Sequence, residues 1–264
     1  MQKIIQDFTQ TIEPSWRQHM VGNGVLTQAT TGLRLANRPT LAATYTNAQI
    51  DDYQGLSRRN FLWRPPLRLT VRACFSHAAD QLRGTAGFGF WNDPFLMTGV
   101  RRPSLPRALW FFYSAPPSNI QLALDVPGCG WKAATIDAWR WPFFLLVPSA
   151  PVAMPLMRIR PLYRALWPLA QRAIGVSEAL LKVSMTNWHT YTIEWGMTTA
   201  RFFVDEQLVL LCPTPPRGPL GLVIWKDTQA MVITPWGQFR HMAVAVDETQ
   251  WLEIAGLTIE AGQS

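Results

Sequence analysis

Catalysis and binding need side chains that ionise, hydrogen-bond or stack, and one strand-like segment of this sequence alternates all three. In VIWKDTQ, residues Trp225, Asp227 and Gln229 fall on every second position. An extended backbone therefore turns a ring, a carboxyl group and an amide to one face. An acid inside an apolar strand needs a partner or a task. Asp227 is accordingly the candidate catalytic residue, with an ion pair to Lys226 or a distant arginine as the alternative. His189 lies in a regular strand pattern and reads as a hydrogen-bonded structural histidine, while His19, His77 and His241 lack metal-ligand spacing. Cys74, Cys129 and Cys212 are odd in number and far apart, which indicates neither a disulfide framework nor a zinc site. No G-x-S-x-G, P-loop or dinucleotide fingerprint occurs, so no metal or cofactor is assigned.

The elements that must position these groups are strands. GLRLAN and LRLTVRACFS alternate apolar and polar residues, and GTAGFGFWND, ALWFFYSAPPSN and NIQLALDV are bounded by turn formers. WHTYTIEW, ARFFVDEQLVLL, LGLVIWKD, AMVIT, RHMAVAV and WLEIAGLTIE continue the style to the C-terminus. Many strands with short turns predict a sandwich or barrel, here one domain over residues 1–264. Hydrophobic residues make up 48% and charged residues 16%, ample for a core, and 13 Trp suit both a large sandwich and a ligand site.

One segment breaks the pattern. Residues 141–184 read as an insertion that opens with an uncharged, proline-rich run, Trp141 to Met157. It continues into a basic amphipathic helix with Leu162, Leu166, Leu169, Ala170 and Ala173 on one face and Arg160, Arg164 and Arg172 among them. Pro161 suits the helix start, Pro168 is expected to kink or divide it, and Gly175 to end it. A short helix is expected at Ser177, with Glu178 in its first turn. Four prolines in the apolar run exclude a spanning helix. The insertion is read as plain packing, as a lid over a cleft, or as a membrane-surface contact.

Trp188 to Val209, WHTYTIEWGMTTARFFVDEQLV, resembles the strand pair near the end of family 16 glycoside hydrolases and related concanavalin A-like domains. His189, Tyr191, Glu194, Trp195, Phe203, Val204 and Asp205 carry the match, and Glu206 stands where the family has glycine at the turn. PRGPLGLVIWKDTQA and WLEIAGLTIE resemble the family's following cleft strand and its terminal strand. The resemblance implies an all-β concanavalin A-like jelly roll of two antiparallel sheets with one helical insertion. It also implies a Glu-x-Asp-x-Glu strand carrying the nucleophile and the acid/base, since retaining glycosidases need two carboxylates roughly 5–5.5 Å apart. The corresponding segment here, ALWFFYSAP, contains no acid. Related domains often hold a structural calcium, for which no ligands are assigned.

What remains is an aromatic cleft. Trp91, Asn92, Trp110, Phe112, Tyr113, Gln121, Trp225, Gln229 and Trp236 are its candidate ligand-binding residues, with Trp110, Tyr113, Trp225, Asp227 and Gln229 expected in one pocket capped by residues 141–175. The first reading is an apolar small-molecule binder, as an enzyme of the isomerase or cyclase kind. The alternatives are a glycan-binding lectin-like module or a hydrolase with displaced carboxylates, and a peripheral membrane protein. Net charge is +7, but the arginines are scattered and no nucleic-acid motif accompanies them, so nucleic acid is excluded as a partner. The N-terminus shows no long apolar segment, so the expectation is a cytoplasmic protein.

Overall fold

The computed structural model describes residues 2–10, 12–94 and 102–262. Alternating segments become strands because one face of each can be buried, and the strands assemble into two facing antiparallel sheets. The outer sheet runs β14 (Gln207–Cys212), β13 (Ala200–Val204), β12 (His189–Trp195), β6 (Leu67–Phe75), β18 (Gln250–Ala261), β4 (Gly32–Asn37), β3 (Gly24–Ala29), and β1 (Gln2–Asp7) also pairs with β18. The cleft sheet runs β11 (Ser177–Leu180), β10 (Gly130–Asp137), β8 (Arg107–Ser114), β7 (Thr85–Trp91), β15 (Gly221–Asp227), β5 (Asn47–Asp51), β2 (Arg17–Val21). A small third sheet, β17 (Phe239–Ala243), β16 (Gln229–Ile233) and β9 (Asn119–Ile120), folds over part of it. This is the expected jelly-roll sandwich.

The core lies between the two large sheets and is sorted by the period-2 rule. Phe88 and Phe90 of β7, and Leu109, Phe111 and Tyr113 of β8, face Tyr191, Ile193 and Trp195 of β12. The rings interlock across the sandwich: Phe88 meets Tyr191 at 5.3 Å between centroids, Phe111 meets Phe202 at 5.5 Å, and Phe90 meets Trp195 at 5.3 Å. Edge and tilted contacts of this kind contribute about 0.5–1.5 kcal/mol each beyond area burial. Tyr113 is therefore a core residue and not a cleft residue. Its hydroxyl donates to the carbonyls of Ala79 and Leu82, at 2.5 and 2.8 Å.

The insertion differs from its sequence reading in three ways. The proline-rich run folds into α1 (Trp141–Leu146), a 3-10 turn and α2 (Ala150–Leu156), with a proline in the first turn of each helix, where its missing N–H costs nothing. The helix α3 (Arg160–Ala173) continues through Pro168 instead of dividing there. It then ends in a Schellman arrangement: Gly175 takes φ +59° and its N–H bonds the Arg172 carbonyl, while the Val176 N–H bonds that of Gln171. The third difference is at Ser177–Leu180, a strand on the free edge of β10 and not a helix. Strand formation also falls short in NIQLALDV, where only Asn119–Ile120 pairs, and extends to Gly130–Asp137, which the sequence reading left unassigned.

The β13–β14 hairpin turns through Asp205 and Glu206, both with positive φ, at +47° and +68°. Asp205 is anchored by the Thr190 N–H at 2.8 Å and by His189 Nδ1 at 2.5 Å, so His189 serves the sandwich and not a cleft. Glu206 has no such anchor for its left-handed backbone. Glu206→Gly is expected to stabilise the fold by about 0.5–1 kcal/mol, the relief of the left-handed penalty less glycine's extra unfolded-state freedom, measured by urea unfolding. An unchanged or lowered midpoint would show that the turn is unstrained.

Candidate ligand pocket

The pocket starts from two glycines. On β7, Gly87 and Gly89 point to the cleft while Phe88 and Phe90 point to the core. A Cβ on Gly87 would come within 2.8 Å of the Trp225 ring and 2.2 Å of the Phe111 carbonyl oxygen, and one on Gly89 within 2.6 Å of the Trp110 Cα. Bare backbone here lets large rings from the neighbouring strands lie down over β7. Trp225 and Trp91 are stacked 6° from parallel at 6.4 Å, Trp110 meets Trp225 at 5.5 Å, and Phe112 meets Trp110 at 5.2 Å. The pairing registers of three strands, β7, β8 and β15, thus place one aromatic floor.

Hydrogen bonds lock this floor. The Trp91 indole N–H donates to the Tyr53 hydroxyl at 2.7 Å. The Trp225 indole N–H donates to Thr85 Oγ1 at 3.0 Å, and the Thr85 hydroxyl donates onward to Asp227 Oδ1 at 2.7 Å. Asp227 Oδ1 also accepts the backbone N–H groups of Thr85 and Gln229, at 3.2 and 3.0 Å. All three bonds fall on one carboxylate oxygen. Burial pushes the Asp227 carboxyl upward from the ordinary aspartate range, against the opposing effect of those donors and of Lys226. The Lys226 ammonium is itself fully enclosed, brought down to about 8 by burial, and donates to the Arg83 carbonyl at 2.6 Å.

The pocket encloses about 120 Å³ between this floor and the small third sheet. Met231 and Ile233 of β16, with Ile120 and Leu122, form the opposing apolar wall, and Ala134 and Ile136 of β10 close one side. Its polar groups are Gln49, Thr85, Thr135, Asp227 and Gln229, together with Glu178, which the sequence reading had placed in a helix. Glu178 is paired with the buried Lys132 at 3.5 Å, and burial raises its carboxyl while the Lys132 charge opposes. Its only sequence signal was an acid beside apolar residues; the strand that aims it inward exists because β10 has a free edge.

Trp91, Trp110, Phe112, Trp225, Asp227 and Gln229 therefore come together as expected. Four other candidates do not. Tyr113 faces the core. Asn92 serves the end of β7, accepting the Arg107 N–H at 2.9 Å and donating to the Leu105 carbonyl at 2.9 Å. Gln121 points toward Tyr163, 3.5 Å away, and Trp236 packs edge-on to Tyr163 at 5.7 Å. Both belong to the contact with the helical insertion. Apart from Glu178, the insertion contributes no lining residue: residues 141–175 stand behind the wall, with the Trp167 indole N–H on the Leu122 carbonyl at 2.7 Å, and do not line the pocket they were expected to cap.

On β8 the cleft-facing positions are Ala108, Trp110, Phe112 and Ser114, and none of them is an acid. Asp227 and Glu178 lie on β15 and β11, four strand steps apart in the cleft sheet.

No family model matches the sequence, and no curated protein matches it. Solved structures do. The Crh5 transglycosylase in complex with NAG superposes with a TM-score of 0.54 at 10% identity, covering 99% of this chain and 84% of that one. The GlcNAcα1-4Gal-releasing endo-β-galactosidase from Clostridium perfringens gives 0.54 at 14% identity, covering 97% and 61%. The Emp47p carbohydrate recognition domain gives 0.50 at 11% identity, covering 98% and 95%. The chain thus shares the jelly-roll fold of these proteins. At these identities the likeness defines the fold alone.

Two outcomes check the site. Gly87→Ala should destabilise the protein by roughly 1–3 kcal/mol through overpacking against Trp225 and shift the tryptophan emission; a neutral variant would mean the ring does not rest on β7. Asp227→Asn keeps the Oδ1 acceptor but not the titration. A carboxyl raised in the folded state favours folding at low pH, and that contribution is lost as pH climbs through its folded value. As pH rises above the ordinary aspartate range the variant's unfolding free energy should therefore fall less than that of the parent. Parallel profiles would show that Asp227 is not raised.

Proposed function

We propose that this protein binds an apolar small molecule in the aromatic pocket and transforms it by proton transfer from Asp227. The observation that carries this reading is the pocket lined by Trp91, Trp110, Phe112 and Trp225 under an apolar wall. The pocket volume is somewhat below the roughly 150 Å³ cavity that accommodates benzene. It suits one ring or a short branched hydrocarbon unit, and a longer ligand would leave its remainder outside. Sugars need several hydrogen-bonding groups for their hydroxyls, and the polar groups Gln49, Thr85 and Asp227 are already bonded to protein partners.

Asp227, raised by burial, is positioned to hold its proton at higher pH than a free aspartate. Donation to a carbon–carbon double bond would form a C–H bond and leave a carbocation, which the electron-rich faces of Trp225 and Trp110 would stabilise. Rearrangement or ring closure, followed by return of a proton to the carboxylate, completes an isomerisation or cyclisation with no redox change. A glycan ligand is the second reading, favoured by the carbohydrate-binding and carbohydrate-cleaving proteins that share the fold.

Native mass spectrometry of the protein purified from cells, followed by fluorescence titration with a monocyclic terpene alcohol and with laminari-oligosaccharides, separates the two. The terpene alcohol should bind, Trp110→Ala should weaken it about tenfold or more, and Asp227→Asn should keep binding within about threefold while abolishing turnover. Saturable oligosaccharide binding with no response to the terpene alcohol would overturn the apolar reading.

A further inference from the structure

The helical insertion presents an apolar surface that no described residue covers. Neither α1 nor α2 buries any of its residues. Trp141 is 74% exposed, Leu145 and Val152 are each 68% exposed, and Trp139, Phe144 and Ile159 are exposed beside them. Elsewhere the exposed large apolar side chains are scattered through the chain, as on any soluble surface. A run of this kind on consecutive short helices marks an interaction surface.

Charge identifies the partner. Arg140, Arg158, Arg160, Arg164 and Arg172 fall between Trp139 and Val176, and that stretch contains no aspartate or glutamate. A second copy docking on the same face would set each group of arginines against the other. An anionic lipid surface instead complements them while accepting the apolar side chains, and Trp139 and Trp141 are the residue type that favours the headgroup boundary. No described helix is long and apolar enough to cross a bilayer. Prolines at 142, 148, 151 and 155 break the apolar run into short pieces, the form of a segment that lies in the interface.

We propose that α1, α2 and the exposed arginines of α3 dock this protein on anionic membranes. α3 is also fixed to the pocket wall, through Trp167 to the Leu122 carbonyl and through Gln171 Oε1, which accepts the Leu124 N–H at 3.1 Å. Leu122 lines the pocket. The docked surface is therefore one layer from the pocket, and an apolar ligand would be drawn from the lipid. That last step rests on the ligand reading above; the docking does not.

The full-length protein is tested by co-sedimentation with vesicles of phosphatidylcholine alone and of an equimolar mixture with phosphatidylglycerol. Binding is expected to the anionic vesicles, with a blue shift of tryptophan emission, and to weaken about tenfold or more in about 0.5 M NaCl. The Trp141→Asp/Leu145→Asp and Arg158→Glu/Arg160→Glu/Arg164→Glu variants should each lose about tenfold or more of the partitioning. All five side chains are exposed, so thermal unfolding of both variants should match the parent. Absence of binding to either vesicle overturns the proposal. So does a concentration-dependent dimer that the same variants dissociate, which would make the surface a contact between copies. Terpene-alcohol binding in lipid-free buffer is read alongside: its loss with vesicle binding intact refutes the pocket reading alone, and the converse refutes the docking alone.

Discussion

The close approach of Trp225 and Trp110 to the bare backbone at Gly87 and Gly89 is the constraint on which the cleft depends. β7 has to fill the sandwich with Phe88 and Phe90 and leave its other face empty. Only glycine does the second while alternation does the first. Any Cβ at these two positions would meet a ring or backbone carbonyl of a paired strand. The aromatic floor is thus a consequence of strand pairing: Gly87 lies between Trp225 and Phe112 across the ladders, and Gly89 between Val223 and Trp110.

Once rings occupy the cleft, its polar groups must be satisfied from within. Thr85 is the hinge of that arrangement, joining the Trp225 indole to the Asp227 carboxyl. Asp227 and Glu178 are each enclosed and each have a lysine nearby, Lys226 and Lys132, yet burial outweighs the lysine charge in both carboxyls. Desolvation therefore governs the chemistry available, favouring the neutral acid over a pair of cooperating carboxylates.

The small third sheet and the helical insertion complete the slot in series. β16 leaves the cleft sheet at Thr228 and lays Met231 and Ile233 over the rings, and α3 braces that layer through Trp167, Tyr163 and Gln171. The outer face of the insertion is left with nothing of its own to pack on. An apolar pocket and an uncovered apolar surface are in this way two sides of one added layer.

Alternation marked most of the strands and put Trp225, Asp227 and Gln229 on one face, because a half-buried strand has a period that the chain itself carries; the two-sheet jelly roll was implied by the resemblance of Trp188 to Val209. The hairpin at Asp205 and the place of His189 were legible from that same resemblance. Tyr113 was not, since on ALWFFYS both alternating faces are apolar and only the facing sheet decides which one is core. Glu178 was misread because SEAL is equally a helix start, and the free edge of β10 decided for a strand. The cap failed on the same ground: amphipathic spacing predicts that α3 buries one face, and only tertiary packing assigns that face to the outside of the pocket wall. Local period is written in the sequence, whereas the identity of the surface each face meets is a property of the assembled layers.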